Sequence, residues 1–369
     1  MLDTIERDRR YQLIRERMAA QGLDAMLVIG NAQIEQKGFL KYLTNYRNTL
    51  YNLVAIFPRV GDPKLLVPSP VQKYWAERLS WILNVEEEKP SLNEALVRSI
   101  EEMGLSKAKV GLASAKIMPA DTYNYLAKNL PNMSITDGTV IIEESRMVKS
   151  NGEQELVRGT ASLANLSFEV LLEVLKPGIT ERELIAEVDR RLIAGGAQDI
   201  FHLICSERGD LMPFMATDRV IRNGDAVIVN TELSGPGGYW IQMVRTAFVG
   251  KPATDTDKMY DILIGIVDQL PDKLVPGTKL SDIANWVRKE TIDAGYEVGV
   301  HFGHCLGLDV VERPMVSVLE EETLKAGMVI TVHPQLVARD MSTTVWYADT
   351  YLIKEERAEV LTKVAPIKI

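Results

Sequence analysis

The chain has 369 residues, too many for one ordinary core and enough for two domains of usual size. Apolar residues make up 46% and charged residues 25%, which excludes disordered and fibrous classes and leaves a soluble globular protein. With 42 Lys and Arg against 51 Asp and Glu the net charge is -9; this disfavours nucleic acid as a partner, and no apolar run nears the roughly 20 residues of a membrane span. The start MLDTIERDRRYQ is charged throughout and does not read as a signal peptide, so a cytoplasmic location is expected. Cys205 and Cys305 form no CxxC pair, which suits a reducing compartment.

In chain order, residues 5–21 carry apolar side chains at helical spacing, and the apolar runs 25–29, 53–57 and 64–67 read as buried strands, the last two separated by Gly61-Asp62-Pro63. Helices are predicted over 75–83, 92–103 and 121–130, with a strand at 110–112. This alternation predicts an α/β domain with a substantially parallel sheet over residues 1–145. A second domain, 146–369, opens with a helix from about 152 to 175 that Lys176-Pro177-Gly178 stops, and Thr180 with Glu183 forms a capping box for the next helix. Strands are predicted at 227–230, 238–249 and 329–332, helices at 259–270 and 280–294, an α+β pattern. The pair Pro177-Gly178 recurs as Pro276-Gly277 before a second helix, a hint of internal duplication.

All four histidines, His202, His301, His304 and His333, lie in the second half. Neutral imidazole suits proton transfer or metal binding near pH 7, so any histidine chemistry belongs there. His202 sits in an apolar run and reads as structural.

Eight blocks then occur in one order: Arg146-Met-Val-Lys-Ser, Lys176-Pro-Gly-Ile-Thr, Asn223-Gly-Asp-Ala-Val-Ile-Val, Gly238-Tyr-Trp, Arg245-Thr, Gly303-His-Cys-Leu-Gly-Leu, Glu312-Arg-Pro and Gly327-Met-Val-Ile-Thr-Val-His-Pro. Together they resemble the creatinase, aminopeptidase P and prolidase family. The resemblance implies a creatinase N-terminal-like α/β domain followed by an α+β catalytic domain of the pita-bread fold. Metallopeptidases of that family hold two metals with two aspartates, one histidine and two glutamates. The matching positions here are Asn230, Gln242, His304, His333 and Ala348, so four of the five ligands are replaced. The family's catalytic histidine aligns with Phe214, and a second histidine with Val311.

Creatinase itself resembles this pattern in part, since it works without metal. The resemblance therefore implies a metal-independent hydrolase that cleaves a C–N or related bond of a small polar or aromatic molecule, with no cofactor. In that reading His304 and His333 carry protons. Glu232 shares a strand face with Asn230 and would act as base, with Glu312 as a second catalytic or orienting carboxylate, or as a partner of Arg245. Asn230 and Gln242 would hold the substrate, helped by His301, Arg245, Tyr239, Trp346 and Asp349. Arg47 would reach a substrate carboxylate across a homodimer. Three alternatives stand beside it. The first is a lyase of the same fold. The second is an enzyme with a single zinc or iron on His304, His333 and a carboxylate, Glu232 or Asp349. The third is a non-catalytic module that binds peptides or small molecules. The expected partners are a small-molecule substrate and a second copy of the chain, with no nucleic acid and no membrane.

Overall fold

The computed structural model describes residues 2–33, 37–47, 49–206, 211–299 and 301–364. The chain forms two compact units, Met1–Arg146 and Met147–Ile369. Among the described residues no helix is long and apolar enough to cross a membrane.

In the first unit the strand Ala25–Gly30 is buried along its whole length, which is why it reads as an unbroken apolar run rather than an alternating one. It lies mid-sheet in the order Asn84–Glu87, Lys64–Val67, Leu53–Pro58, Ala25–Gly30, Lys109–Ala113, Ser134–Asp137. Three pairings are parallel, but Leu53–Pro58 runs antiparallel to both its neighbours. The sheet is therefore mixed. The turn at Gly61-Asp62-Pro63 is too short for a crossover and can only make a hairpin. The helix predicted over 75–83 is instead Pro70–Leu79. Its start is fixed by Ser69, whose side chain accepts from the Gln72 N–H, and by Pro70 in the first turn. Leu96, Ile100 and Leu126 of the helices Leu92–Glu102 and Ala120–Asn129 pack on Leu27, Ile29, Val54 and Ile56.

The second unit opens with the helices Asn151–Val174 and Glu181–Ala194, each closed by a capping box, Ser150 with Glu153 and Thr180 with Glu183. They pack against the antiparallel sheet of Asp199–Cys205, Ala226–Ser234 and Trp240–Phe248. A five-stranded antiparallel sheet follows the order Glu312–Val316, Gly303–Cys305, Val329–Val332, Asp349–Leu352, Glu359–Val360. Leu263 and Val287 of the helices Thr254–Val267 and Leu280–Asp293 share one core with Ile330, Leu336 and Val345.

The two Pro-Gly segments repeat one local backbone. Gly178 (φ 96°) donates its N–H to the Ile221 carbonyl, and Gly277 (φ 88°) donates to that of Leu324. Each is followed by an isolated antiparallel bridge, Thr180 to Val220 and Lys279 to Thr323. Positive φ explains glycine at both places. A further bridge, Val244 to Ala348, ties the three-stranded sheet to the segment between Thr344–Trp346 and Asp349–Leu352.

Candidate active site

The strand Gly303–Cys305 pairs antiparallel with Val329–Val332, His304 facing Thr331 and Gly303 facing Val332. The His333 N–H continues the ladder by donating to the Phe302 carbonyl at 3.0 Å. His333 thus stands opposite Phe302, and His304, two residues further along, becomes its diagonal neighbour on the same face. The close approach needs Gly303. Its φ is 150°, and a Cβ there would lie 2.1 Å from the Thr331 carbonyl oxygen. His301 completes a cluster with ring centroids 4.9 Å from His333 and 6.2 Å from His304, while His304 and His333 are 5.7 Å apart. One nitrogen from each of the three rings lies within 4.8 Å of the others.

The environment of each ring sets its chemistry. His304 is buried, and burial lowers its pKa to about 4. Its Nδ1 lies 3.0 Å from the Cys305 carbonyl; that oxygen can only accept, so Nδ1 carries the hydrogen and Nε2 keeps its lone pair. His333 is also buried, and burial, with His304 and His301 nearby, holds its pKa well below the usual value. Both of its ring nitrogens lack a hydrogen-bond partner among the described residues. An imidazole buried in that state costs about 1–3 kcal/mol. His301 is exposed and is lowered too, by partial desolvation. Desolvation thus favours the neutral form of all three rings.

Trp346 stands edge-on to His333 at 5.8 Å and donates its indole N–H to the His333 carbonyl at 3.2 Å. It packs with Ile228, Val244 and Ala348. On the facing strands Ala226–Ser234 and Trp240–Phe248, Glu232 pairs with Gln242. Asn230 Nδ2 donates to Glu232 Oε1 at 2.7 Å, and Gln242 Nε2 donates to the same oxygen at 3.1 Å and to Asn230 Oδ1 at 3.2 Å. Gln242 Oε1 is buried without a partner among the described residues. The shared strand face expected for Asn230 and Glu232 is thus realised as a direct hydrogen bond.

Four residues expected at the site are taken up by structural contacts instead. Glu312 pairs with Lys149 at 3.1 Å, both fully buried, and its other oxygen accepts from the Leu308 N–H at 2.9 Å. Lys149, not Arg245, is its cation. Arg245 meets Asp349 at 2.6 Å and donates to the carbonyls of Val244, Ala348 and Thr362, so neither member of that pair is offered to a substrate. Asp349 also accepts from the Thr362 hydroxyl, on the same Oδ1 that meets Arg245, and among the described residues the group able to hold a metal ion is His301, His304 and His333. Tyr239 gives its hydroxyl to Glu153, holding the helix Asn151–Val174. His202 bridges Asp189 and Thr231 at 3.0 Å each, a structural placement. Arg47 belongs to the first unit and is half-buried there, and Phe214 is 73% exposed. Sequence reasoning missed Lys149 and the Cys305 carbonyl. The lysine sits in the block Arg146-Met-Val-Lys-Ser but is 163 residues from its partner, beyond any local signal.

The model of metallopeptidase family M24 matches residues 155–355, and that of the creatinase/prolidase N-terminal domain matches residues 10–148. The chain belongs to metallopeptidase family M24. Its second unit is the pita-bread domain of that family, and its first the creatinase N-terminal domain. Among curated relatives, the Xaa-Pro dipeptidase of Pyrococcus furiosus is 28% identical over 60% of this chain and 65% of its own length. That of Pyrococcus horikoshii is 27% identical over 70% of this chain and 75% of its own. The crystal structure of the prolidase from Pyrococcus horikoshii superposes with a TM-score of 0.85 at 25% identity, covering 98% of this chain and 99% of that one.

These findings correct two expectations. A metal-independent hydrolase of the creatinase kind gives way to a family of metallopeptidases whose named relatives are Xaa-Pro dipeptidases. An enzyme without cofactor gives way to one with a histidine cluster able to hold a metal ion. The physical reason is that the expectation was drawn from residue identities at positions matched by resemblance, while the convergence of three imidazoles depends on a strand register that spacing does not reveal.

Proposed function

We propose that this M24 protein is a metal-dependent hydrolase that cleaves the amide bond of a dipeptide-sized substrate. One observation carries the reading: three neutral imidazoles converge inside residues 155–355, the segment that matches the metallopeptidase model. The Xaa-Pro dipeptidases among its relatives support a substrate of that size and bond type. The donor set does not fit a pair of ions. On the resemblance read from the sequence, the five ligand positions hold Asn230, Gln242, His304, His333 and Ala348. Two divalent ions and a bridging hydroxide need several carboxylates, whereas amides bring no charge and Ala348 brings no donor atom.

A single bound ion supplies a water acidified toward neutral pH and a Lewis-acid contact for a carbonyl oxygen. The chain supplies the rest. Glu232, held by the amide N–H groups of Asn230 and Gln242, would accept the proton of the attacking water and return it to the leaving amine. Gln242 Oε1, buried and unpaired, accepts an N–H of the substrate. Trp346 presents an aromatic edge beside His333, a wall that suits an apolar substrate ring.

The test is hydrolysis of a panel of Xaa-Pro and other dipeptides before and after removal of metal with a chelator, followed by readdition of zinc, cobalt or manganese. Activity should vanish on chelation and return with metal. Glu232→Gln should lower kcat by about 10²–10⁴-fold with KM little changed. Turnover that is indifferent to chelation, or a Glu232→Gln variant as fast as the parent, would sink the reading.

A further inference from the structure

We infer that His301, His304 and His333 form a site for one transition-metal ion of the zinc type, with no oxygen-ligated partner ion beside it. The inference deepens the hydrolase reading by naming its metal, but the binding it asserts stands or falls independently. The nitrogens start within 4.8 Å of one another. An ion bonded to each at about 2.0–2.1 Å needs them roughly 3.4 Å apart in a tetrahedron, a closure that small ring rotations achieve. The exposed ring of His301 is the one with room to make that movement.

Three observations point to an ion rather than to a core packed with histidines. Both nitrogens of His333 are buried without a partner among the described residues, which leaves a lone pair with nothing there to accept. His304 is held by the Cys305 carbonyl in the tautomer that turns Nε2 outward, the outer-sphere contact that metal-bound histidines commonly make. His301 faces solvent, so the cluster has an entry path and an open fourth position for water or substrate.

The donor type decides which ion. Three imidazoles suit zinc, cobalt, nickel or iron(II), whereas magnesium, calcium and manganese prefer oxygen. The charge balance argues for one ion. Glu312 is bound to Lys149 and Asp349 to Arg245, and Asn230, Gln242 and Ala348 are uncharged, so Glu232 alone would face a second cation, where a pair of ions needs several carboxylates.

The experiment uses the full-length protein stripped of metal and titrated with cobalt(II) chloride, followed by visible absorption, with elemental analysis after reconstitution with zinc. The expected result is one ion per chain, a cobalt spectrum of low coordination number, displacement by zinc and none by magnesium. His333→Ala should abolish the spectrum. His301→Ala, an exposed change that leaves folding intact, should weaken cobalt binding more than about tenfold, the least that loss of even an outer-sphere partner causes. Two ions per chain, no cobalt bound, or binding unchanged in His301→Ala would overturn the inference. The two proposals fail separately. One ion bound without dipeptide turnover refutes the hydrolase and keeps the site, while turnover with two ions refutes the site and keeps the hydrolase.

Discussion

Glu88 in the first unit has a buried carboxyl oxygen with no hydrogen-bond partner among the described residues, and desolvation raises its pKa from the ordinary 4.5 to about 7. The folded state therefore holds a proton that the unfolded state has released, so stability is fully present below about pH 4.5 and declines as pH rises through about 7. Glu88→Gln, which mimics the protonated acid, should flatten that decline and raise the melting temperature more above pH 7 than below pH 4.5. Equal shifts at both ends in thermal melts would contradict the assignment. Nothing in the sequence marks Glu88, because the signal is the absence of a partner. The same limit applied to Arg245 and Asp349, whose pairing spans 104 residues. The blocks around His304 and His333 singled out those two rings, but their convergence with His301 was not legible, since it rests on a ladder contact between His333 and Phe302.

Long elements were readable and short ones were not. The helix Asn151–Val174 and the capping box of Glu181–Ala194 follow from periodicity and cap residues. Gly303–Cys305 and Gln335–Val337 have three residues each, too few for any period to show, yet the first carries His304. That strand is braced from its neighbour Glu312–Val316 by the buried ion pair of Lys149 and Glu312. Lys149→Met leaves a carboxylate buried without a cation and should cost about 3–5 kcal/mol. Adding Glu312→Leu to Lys149→Met should recover a good part of that loss, because the unpaired charge goes with it. A double variant no more stable than Lys149→Met in denaturant unfolding would show that the pair braces the strand by shape rather than by charge.

The whole molecule has two units with separate cores, so its unfolding need not be one transition. The ion inferred here touches only the second. At a free zinc concentration about 100 times the dissociation constant, binding adds about 2.7 kcal/mol to the unit that holds it. Hydrogen exchange should therefore slow on zinc addition in Gly303–Cys305 and Val329–Val332 and stay unchanged in Ala25–Gly30. Equal slowing in both units would place the ion elsewhere. At this scale the sequence was most legible: an α/β unit followed by an α+β unit was expected and is the arrangement found. What composition and alternation could not show was the antiparallel course of Leu53–Pro58 within the first sheet, which hinges on one short turn.

Trp346 stands 5.8 Å from the His333 ring and holds that residue's carbonyl through its indole N–H. An indole at this range is a light source beside the lone pairs of His333. Open-shell ions such as cobalt quench a neighbouring excited indole, whereas closed-shell zinc leaves its emission largely intact. Cobalt held by the three imidazoles would therefore dim the Trp346 emission, and zinc displacing that cobalt would be read as its recovery.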